Sequence, residues 1–413
     1  MVPKGWKEAK LGEVIKHQKG YAFKSESYMN EGVRIIRISD TTRNRIHDKS
    51  PVYIDEEETV SLSQYKLDAE DIILSTVGSR PHLLDSMVGK AVKVPLESKG
   101  ALLNQNLVKV VPKDNLITNN YLFSMITKSK FNYFISTLVR GNANQVSITL
   151  KELFAYTFPL PPLPEQQKIA KILSTWDKAI STTECLIDNS SQQKKALMQQ
   201  LLTGKKRLLD ESGQRFEGEW EERAVSSLGK IYSGGTPSTS NTEYWDGDIN
   251  WITPTDITKQ DSRYINSSLR KITLEGLENS SAKLVPAGSL LICTRATIGA
   301  MAITSHEMCT NQGFKNIVPN SKTNIVFVYY LLTYNKHRMI SKASGSTFLE
   351  LSKTSFESMR FRMPPLKEQQ KIASVLTNAD KEIELLEQQL ADLQQEKKAL
   401  MQVLLTGKKR VVV

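Results

Sequence analysis

Two stretches of the chain carry apolar residues at alternating steps of four and three, the pattern of a helix that packs along another helix. In the later stretch these positions are Ile372, Leu376, Ala379, Ile383, Leu386, Leu390, Leu393, Leu400 and Leu404. Only Lys397 interrupts them. In the earlier stretch the same positions run from Ile169 to Leu201 and are more polar, with Thr183, Ser190 and Lys194 among them. The pattern predicts two long helices that form a coiled coil.

Both helices belong to one repeated segment. Residues 161–207, which begin PPLPEQQKIAKIL, return as residues 364–410, which begin PPLKEQQKIASVL, and 364 − 161 gives an offset of 203 with no gap. Pro164 and Glu165 suit a first helical turn, and Gly204 and Gly407, each followed by Lys-Lys-Arg, suit a helix end. These signals predict two helices of roughly 40 residues, each about 60 Å long.

The length of these helices decides their direction. In a parallel pair, residues 215–362 would have to bridge about 60 Å, whereas a compact domain of that size is only about 38 Å across. An antiparallel pair places the two ends that must be joined side by side. Each globular part precedes its own helix, so we expect the two parts at opposite ends of a rod, related by a pseudo-two-fold axis.

The two globular parts are diverged copies of one domain. Trp6 and Trp220 open them, and the buried-strand pattern DIILSTVGS, from Asp71, returns as SLLICTRAT, from Ser289. Short strand-like runs mix with helical runs at residues 119–135 and 324–340, which indicates an α+β fold. We predict four segments: residues 1–160, 161–214, 215–362 and 363–413. The scaffold is shared and the loops differ, as expected for two readers of different ligands.

Composition narrows the functional class. The net charge of +11 is compatible with a polyanionic partner such as nucleic acid. Cys185, Cys293 and Cys309 are far apart, the histidines lack ligand spacing, and no apolar leader or membrane span is apparent, which favours a cytoplasmic protein without a metal or cofactor. Motifs of methyltransferases, nucleotide hydrolases and metal-dependent nucleases are missing, so we predict a non-catalytic chain.

The succession of a variable domain, a PPLPEQQKIAKIL helix, a second variable domain and a PPLKEQQKIASVL helix resembles the specificity subunit of type I restriction-modification systems. Both helices end in LLTGKKR, and GYAFKS at residues 20–25 and GGTPS at residues 234–238 are similar to motifs of its target-recognition domains. The resemblance implies a DNA-binding subunit whose two domains read the halves of a bipartite, asymmetric site in double-stranded DNA. It also implies two adenine-N6 methyltransferase subunits and restriction/translocase subunits as partners. The alternative is a coiled-coil protein-interaction scaffold that reads no DNA.

Candidate DNA-binding residues are polar or basic residues in predicted loops, since Arg, Asn and Gln read base edges and Ser, Thr and Lys contact phosphates. In the first domain they are Lys24, Thr42, Arg43, Arg45, Arg80, Arg140, Asn142 and Gln145. In the second they are Thr236, Ser238, Thr239, Thr255, Lys259, Arg295, Thr297, Ser346 and Thr347. Any of them could equally be a solvated loop residue or a turn cap.

Three other features have two interpretations each. The pairs Asn104-Gln105 and Asn311-Gln312 could contact DNA or be buried amides that satisfy loop backbone groups. Aromatic side chains near the loops could stack on a base or pack in a core; these are Tyr21, Phe23 and Trp251. Lys194 and Lys397 interrupt the two helical seams at equivalent positions, where we favour a role in setting the register over a functional role.

Overall fold

The computed structural model describes residues 2–42, 45–80, 82–83, 86–139, 145–260, 262–344 and 349–412. The chain divides into two compact units, and both units take parts of the two long helices. Unit 1 comprises Met1–Glu184 with Gln388–Val413, and unit 2 comprises Cys185–Glu387. The four segments of the sequence pattern stay a prediction, because the units are divided along the helices rather than at the domain ends.

The first domain is an α+β domain built on two small sheets. Its elements, with the helix that follows, are β1 (Lys7–Lys10), α1 (Leu11–Val14), β2 (Ile15–Lys19), β3 (Val33–Ile36), β4 (Val52–Ile54), β5 (Ile72–Ser75), β6 (Val77–Ser79), β7 (Ala91–Lys93), β8 (Leu102–Leu103), β9 (Leu107–Pro112), α2 (Asn119–Thr127), α3 (Ser129–Leu138), β10 (Gln145–Ser147), α4 (Leu150–Phe154), β11 (Thr157–Leu160) and α5 (Leu163–Leu201). The sheet orders are β2-β9-β5-β7 and β4-β3-β8. All of β5 is buried, as its apolar run predicted.

The second domain repeats this plan. Its elements are β12 (Glu221–Ala224), β13 (Gly229–Ser233), β14 (Trp245–Ile252), α6 (Pro254–Thr258), β15 (Tyr264–Ile265), β16 (Lys271–Ile272), α7 (Leu274–Glu278), β17 (Leu290–Cys293), β18 (Met301–Thr304), β19 (Cys309–Thr310), β20 (Phe314–Pro319), α8 (Ile325–Tyr334), α9 (Lys336–Ser341), α10 (Lys353–Glu357), β21 (Arg360–Met363) and α11 (Leu366–Leu404). Strands β13-β20-β17-β18 match β2-β9-β5-β7, and β16-β14-β19 match β4-β3-β8. The predicted pair of related α+β domains is confirmed.

The long helices α5 and α11 have 39 residues each, close to the predicted length. In unit 1, Ile169 and Leu173 from the start of α5 share a core with Leu404 from the end of α11. In unit 2, Leu201 from the end of α5 shares a core with Leu376 from the start of α11. In both units the start of one helix meets the end of the other, so the pair is antiparallel, as predicted from the length of the helices and the span of the domain between them.

The two lysines in the helical seams face aspartates across the helix pair. Lys397 forms an ion pair with Asp177 in unit 1, and Lys194 forms one with Asp380 in unit 2. The four residues occupy equivalent positions of the two copies of the repeat. An apolar seam with one paired charge per copy favours a single register, because a shifted register would leave these charges unpaired.

The start of the first domain is fastened to the helices by Trp6, Glu165 and Arg410. The indole N–H of Trp6 donates to Glu165 Oε2 at 2.9 Å, and the Arg410 guanidinium donates to both Glu165 oxygens at 2.6 and 2.8 Å. Burial opposes ionisation of Glu165, yet the hydrogen bonds from Arg410 and Trp6 outweigh it and lower the pKa of this carboxyl. We call this arrangement the Trp–Glu–Arg clamp.

Unit 2 contains the same clamp, made from the other copy of each motif. The indole N–H of Trp220 donates to Glu368 at 3.2 Å, and Arg207 donates to both Glu368 oxygens at 2.6 and 2.8 Å. In each unit the glutamate comes from the start of one helix and the arginine follows the end of the other. The repeated PPLxEQQ and TGKKR sequences therefore have an intramolecular role in holding a domain on the antiparallel pair.

A glutamine next to each clamp glutamate continues this attachment. Gln166 accepts the backbone N–H of Thr118, and Gln369 accepts that of Asn324, both at 2.9 Å. Each amide group also donates to a prolyl carbonyl just before its own helix, again at 2.9 Å. Thr118 and Asn324 are the N-caps of α2 and α8. The first turn of each long helix is thus hydrogen-bonded to a helix of the domain that precedes it.

Lys128, between α2 and α3, is a buried cation. Its ammonium group contacts Met125 Sδ at 3.6 Å, and burial, with a smaller effect of the Lys130 charge, lowers the pKa of Lys128 to about 7. We expect Lys128→Met to raise the free energy of unfolding at pH 7 by about 1–3 kcal/mol, because the charged form is penalised in the core. Lys16→Met, at an exposed position of β2, is the control.

The pH dependence follows from the same pKa. An unfolded lysine titrates near 10.5, so the unfolded chain binds more protons than the folded chain between about pH 7 and pH 10.5. The stability of the native chain should therefore rise with pH across this window. The advantage of Lys128→Met, measured by urea unfolding, should shrink accordingly. An advantage that stays constant from pH 7 to pH 10 would contradict the assignment.

Candidate nucleic-acid interface

A glycine and an asparagine meet at the same point of both domains. A Cβ atom at Gly20 would lie 2.1 Å from the carbonyl oxygen of Asn104, and one at Gly234 would lie 1.8 Å from that of Asn311. Any side chain at these glycines would displace the backbone. The motifs GYAFKS and GGTPS are therefore loops that pass directly over an Asn-Gln pair.

The asparagine side chains hold the turns beneath these loops. Asn104 Oδ1 accepts the N–H of Asn106 at 3.3 Å, and Asn311 Oδ1 accepts that of Gly313 at 2.9 Å. These bonds agree with the interpretation of the asparagines as amides that satisfy backbone groups. Gln312 is exposed and accepts the hydroxyl of Thr236, which connects the glycine loop to the Asn-Gln turn.

Several candidates of the first domain lie on exposed turns. Lys24 is exposed, and its carbonyl accepts the N–H of Ser27 at 3.1 Å. Thr42 donates its N–H to the carbonyl of Arg45 at 2.9 Å, so these two candidates close one turn and the Arg45 side chain is exposed. Arg43 lies outside the described residues.

A second group of first-domain candidates lies on β6 and β10. Gln145 is exposed and pairs with Ser79, the residue before the half-buried Arg80. Strand pairing therefore brings the ends of two segments that are far apart in sequence to one edge. Arg140 and Asn142, between α3 and β10, lie outside the described residues.

In the second domain, Thr236, Ser238 and Thr239 share the loop that follows Gly234. Ser238 and Thr239 are exposed, and the hydroxyl of Ser238 lies 2.8 Å from that of Ser240. The indole N–H of Trp251 donates to the carbonyl of Gly235 at 2.8 Å and supports the loop from below.

The remaining second-domain candidates occupy three places. Thr255 and Lys259 are exposed on and just after α6. Arg295 donates to Glu350 at 2.6 Å, so its guanidinium is already engaged, and Thr297 is exposed. Ser346 and Thr347 lie outside the described residues.

The aromatic residues are mainly structural. Phe23 and Trp251 are 8% and 5% exposed, respectively, and belong to hydrophobic clusters, whereas Tyr21 is 40% exposed. The Tyr21 ring lies 5.0 Å from that of Phe23 and 5.3 Å from that of Tyr65. Only Tyr21 of the three aromatic candidates thus keeps a large surface for a ligand.

Two features of the second domain were not predicted from the sequence: a hollow, and an arginine that follows its lining residue Leu269 in the chain. The hollow has a volume of about 550 Å³ and is lined by residues between Asp256 and Leu269. The guanidinium of Arg270 lies 3.8 Å from the ring centroid of Trp245. One sequence signal could have indicated a functional segment at this place. The two domains have similar strand ends, each closed by an aspartate, at residues 36–40 (IRISD) and 252–256 (ITPTD).

Among the described residues, no group of three or more His, Cys, Asp or Glu side chains is placed to hold a metal ion. In that same part of the chain, no helix has the length and apolar character needed to cross a membrane. Cys293 and Cys309 are buried, and burial raises the pKa of each thiol to about 12.

Two related domains that share their helix anchors and differ in exposed polar loops define a DNA sequence-specificity protein. The chain belongs to the family of the type I restriction modification DNA specificity domain, whose model matches it twice, at residues 3–189 and 217–395. Both copies of the domain, with parts of both helices, fall within the matched residues. The predicted family, fold class and non-catalytic role are confirmed.

Individual relatives agree with this assignment. The type I restriction enzyme MjaIX specificity subunit of Methanocaldococcus jannaschii is 38% identical over 40% of this chain and 39% of its own length. The MjaVIII specificity subunit of the same organism is 24% identical over 99% of this chain and 94% of its own length. The S subunit of a type I system from M. genitalium matches the fold with a TM-score of 0.60 at 14% identity, covering 98% of this chain and 96% of that one.

Proposed function

We propose that the chain reads a bipartite, asymmetric site in double-stranded DNA, with one domain for each half-site. In this proposal the antiparallel helices carry two methyltransferase subunits that modify adenine N6, and restriction/translocase subunits complete the assembly. The three cysteines are free thiols, as is usual for proteins of a reducing compartment, and we propose that the chain acts in the cytoplasm.

One observation carries the proposal. The Trp–Glu–Arg clamp, the glycine over the Asn-Gln pair and the order of the four matching strands of the main sheet are the same in both units, while the exposed residues of the loops differ. A pure interaction scaffold would require neither a duplicated fold nor two different sets of polar loop residues. Two readers of different half-sites require both.

The candidate residues differ in how exposed they are. The described candidates that we propose as most available to DNA are the eight exposed ones: Lys24, Arg45 and Gln145 of the first domain and Ser238, Thr239, Thr255, Lys259 and Thr297 of the second. The other described candidates, Thr42, Arg80, Thr236 and Arg295, keep the same proposed role. Arg295 would have to leave Glu350 to reach a base.

Competition binding by the chain with its methyltransferase subunits tests the proposal. We expect the complex to prefer one bipartite duplex over a scrambled duplex of equal length by at least about a thousandfold at physiological salt. Replacing Lys259 by Gln should reduce the slope of log affinity against log salt by about 1 if Lys259 contacts a phosphate.

The control is Lys322→Gln. Lys322 is an exposed lysine whose backbone carbonyl accepts a hydrogen bond from the Gln369 amide at 3.3 Å. The turn that contains Lys322 faces the long helix rather than the candidate loops, so the salt slope should not change. Equal affinity of the native complex for all duplexes would favour the scaffold instead.

A further inference from the structure

The second domain contains an edge strand that the described part of the first domain lacks. Strand β15 adds to the main sheet by pairing in parallel with β18, which makes five strands where the first domain has four. It lies in the segment between Asp256 and β16. This segment, residues 257–270, corresponds to residues 41–51 of the first domain and is three residues longer.

Arg263, immediately before β15, fastens this segment to the helices. Its side chain is only 9% exposed, and its Nη2 lies 3.3 Å from Asp380 Oδ2 on α11. Its Nη1 donates to Thr377 Oγ1 at 3.1 Å and also to the hydroxyl of Tyr330 on α8. One guanidinium therefore joins the inserted segment to two helices of unit 2.

Asp380 is the centre of this network. It accepts the Tyr330 hydroxyl at 2.5 Å and also forms the seam ion pair with Lys194. Its side chain is 15% exposed, whereas Asp177, the equivalent residue in unit 1, is 48% exposed and forms its ion pair with Lys397. A largely buried carboxylate with several donors holds a fixed geometry more firmly than an exposed ion pair does.

The segment of residues 257–270 forms one wall of the hollow described above. Tyr264, next to Arg263, lines it together with Lys259 and Gln260, and Leu269 at its rim is 85% exposed. The Gln260 Nε2 atom is buried and has no hydrogen-bond partner among the described residues. A buried donor without an acceptor destabilises the folded chain unless a ligand accepts its hydrogen bond.

Asp256 also lines the hollow, but its carboxylate already accepts hydrogen bonds from the protein. It accepts the N–H and the hydroxyl of Thr253 at 2.8 and 2.5 Å, and the N–H of Leu269 at 2.9 Å. Its charge is therefore partly offset by donors of the loop. Lys259 supplies a cation at the same hollow, and Tyr264 supplies an aromatic face.

We propose that this hollow receives one nucleotide of the target DNA in the half-site read by the second domain. In the complex the amide of Gln260 turns into the hollow and donates to an acceptor of that nucleotide, Tyr264 packs against its sugar or base, and Lys259 faces its phosphate. Arg263 is a positioning residue that holds the wall in place. This inference rests on the proposed function and adds a contact that distinguishes the second domain from the first.

The test uses the chain in complex with its methyltransferase subunits and duplexes with single-base changes in either half-site. We expect Gln260→Ala and Arg263→Met each to lower affinity for the native site about tenfold. Both should also weaken discrimination against base changes in the second half-site and leave discrimination in the first half-site intact. Asp177→Asn, which removes the equivalent ion pair of unit 1, should leave the second half-site unaffected.

Three outcomes distinguish failure of the proposed function from failure of the nucleotide site. If the native complex shows no sequence preference, the proposed function itself fails. If it prefers one site but Gln260→Ala reads the second half-site as well as the native chain does, the hollow takes no nucleotide and the inference is overturned. Since Gln260 is outside the Arg263 network, this variant decides the matter even if Arg263→Met does not fold. Equal losses at both half-sites would reduce Arg263 to a stabilising role.

Discussion

Replacing Glu368 by Ala is expected to lower the free energy of unfolding of unit 2 by about 3–5 kcal/mol. The glutamate side chain is fully buried and accepts three hydrogen bonds, one from Trp220 and two from Arg207. Among the described residues, its loss leaves a buried indole N–H without its acceptor and removes the only carboxylate bound to the Arg207 guanidinium, which keeps the carbonyls of Gly218 and Glu217. Urea unfolding followed by tryptophan fluorescence measures the effect.

Two variants provide the comparison. Glu165→Ala removes the same clamp from unit 1 and should cost less, because the Arg410 side chain is 45% exposed whereas that of Arg207 is 19% exposed. Glu384→Ala removes a carboxylate from an exposed position of α11 and should change stability by less than about 0.5 kcal/mol. A loss for Glu368→Ala as small as that of Glu384→Ala would show that the clamp does not hold the domain.

A chain in which residues 6–160 replace residues 220–363 is expected to direct methylation to an inverted repeat of one half-site. Both segments begin at a clamp tryptophan and end just before a long helix, so the replacement preserves the clamp of unit 2. Both domains would then carry the same loops. Their recognition sequences should become identical, and the asymmetry of the site should disappear.

The reciprocal chain, with residues 220–363 in place of residues 6–160, is the matched control. It should produce an inverted repeat of the other half-site. Methylation-aware sequencing of cells that contain each chain with the same methyltransferase subunit distinguishes the two motifs. Identical motifs from both chains would mean that the domains do not carry the specificity.

Local patterns in the sequence were sufficient to predict the two long helices. The heptad positions, Pro164, Gly204 and Gly407 predicted both helices almost to their ends, and Gly204 and Gly407 have positive φ angles of 71° and 68°. Helix periodicity and end signals act within a few residues, so they can be read directly from the chain. The antiparallel direction followed from a simple limit on how far a domain can reach.

The contacts that fasten the domains could not be predicted in this way. Trp6 and Glu165 are 159 residues apart, and Glu165 and Arg410 are 245 residues apart. No local pattern reports such pairings. For the candidate interface, residue type identified exposed loops correctly in several cases, but it could not tell that Arg295 faces Glu350. It also missed Arg263, whose role depends on two helices that are distant in sequence.

Recognition of two different half-sites is tested most directly by methylation-aware sequencing of a genome with and without this chain, in the presence of its methyltransferase subunits. We expect N6-methyladenine at one split motif whose two halves differ in sequence, and loss of that motif alone when the chain is absent. A methylation pattern unchanged by removal of the chain, or a motif that is continuous or symmetric, would contradict two different domains that each read one half-site.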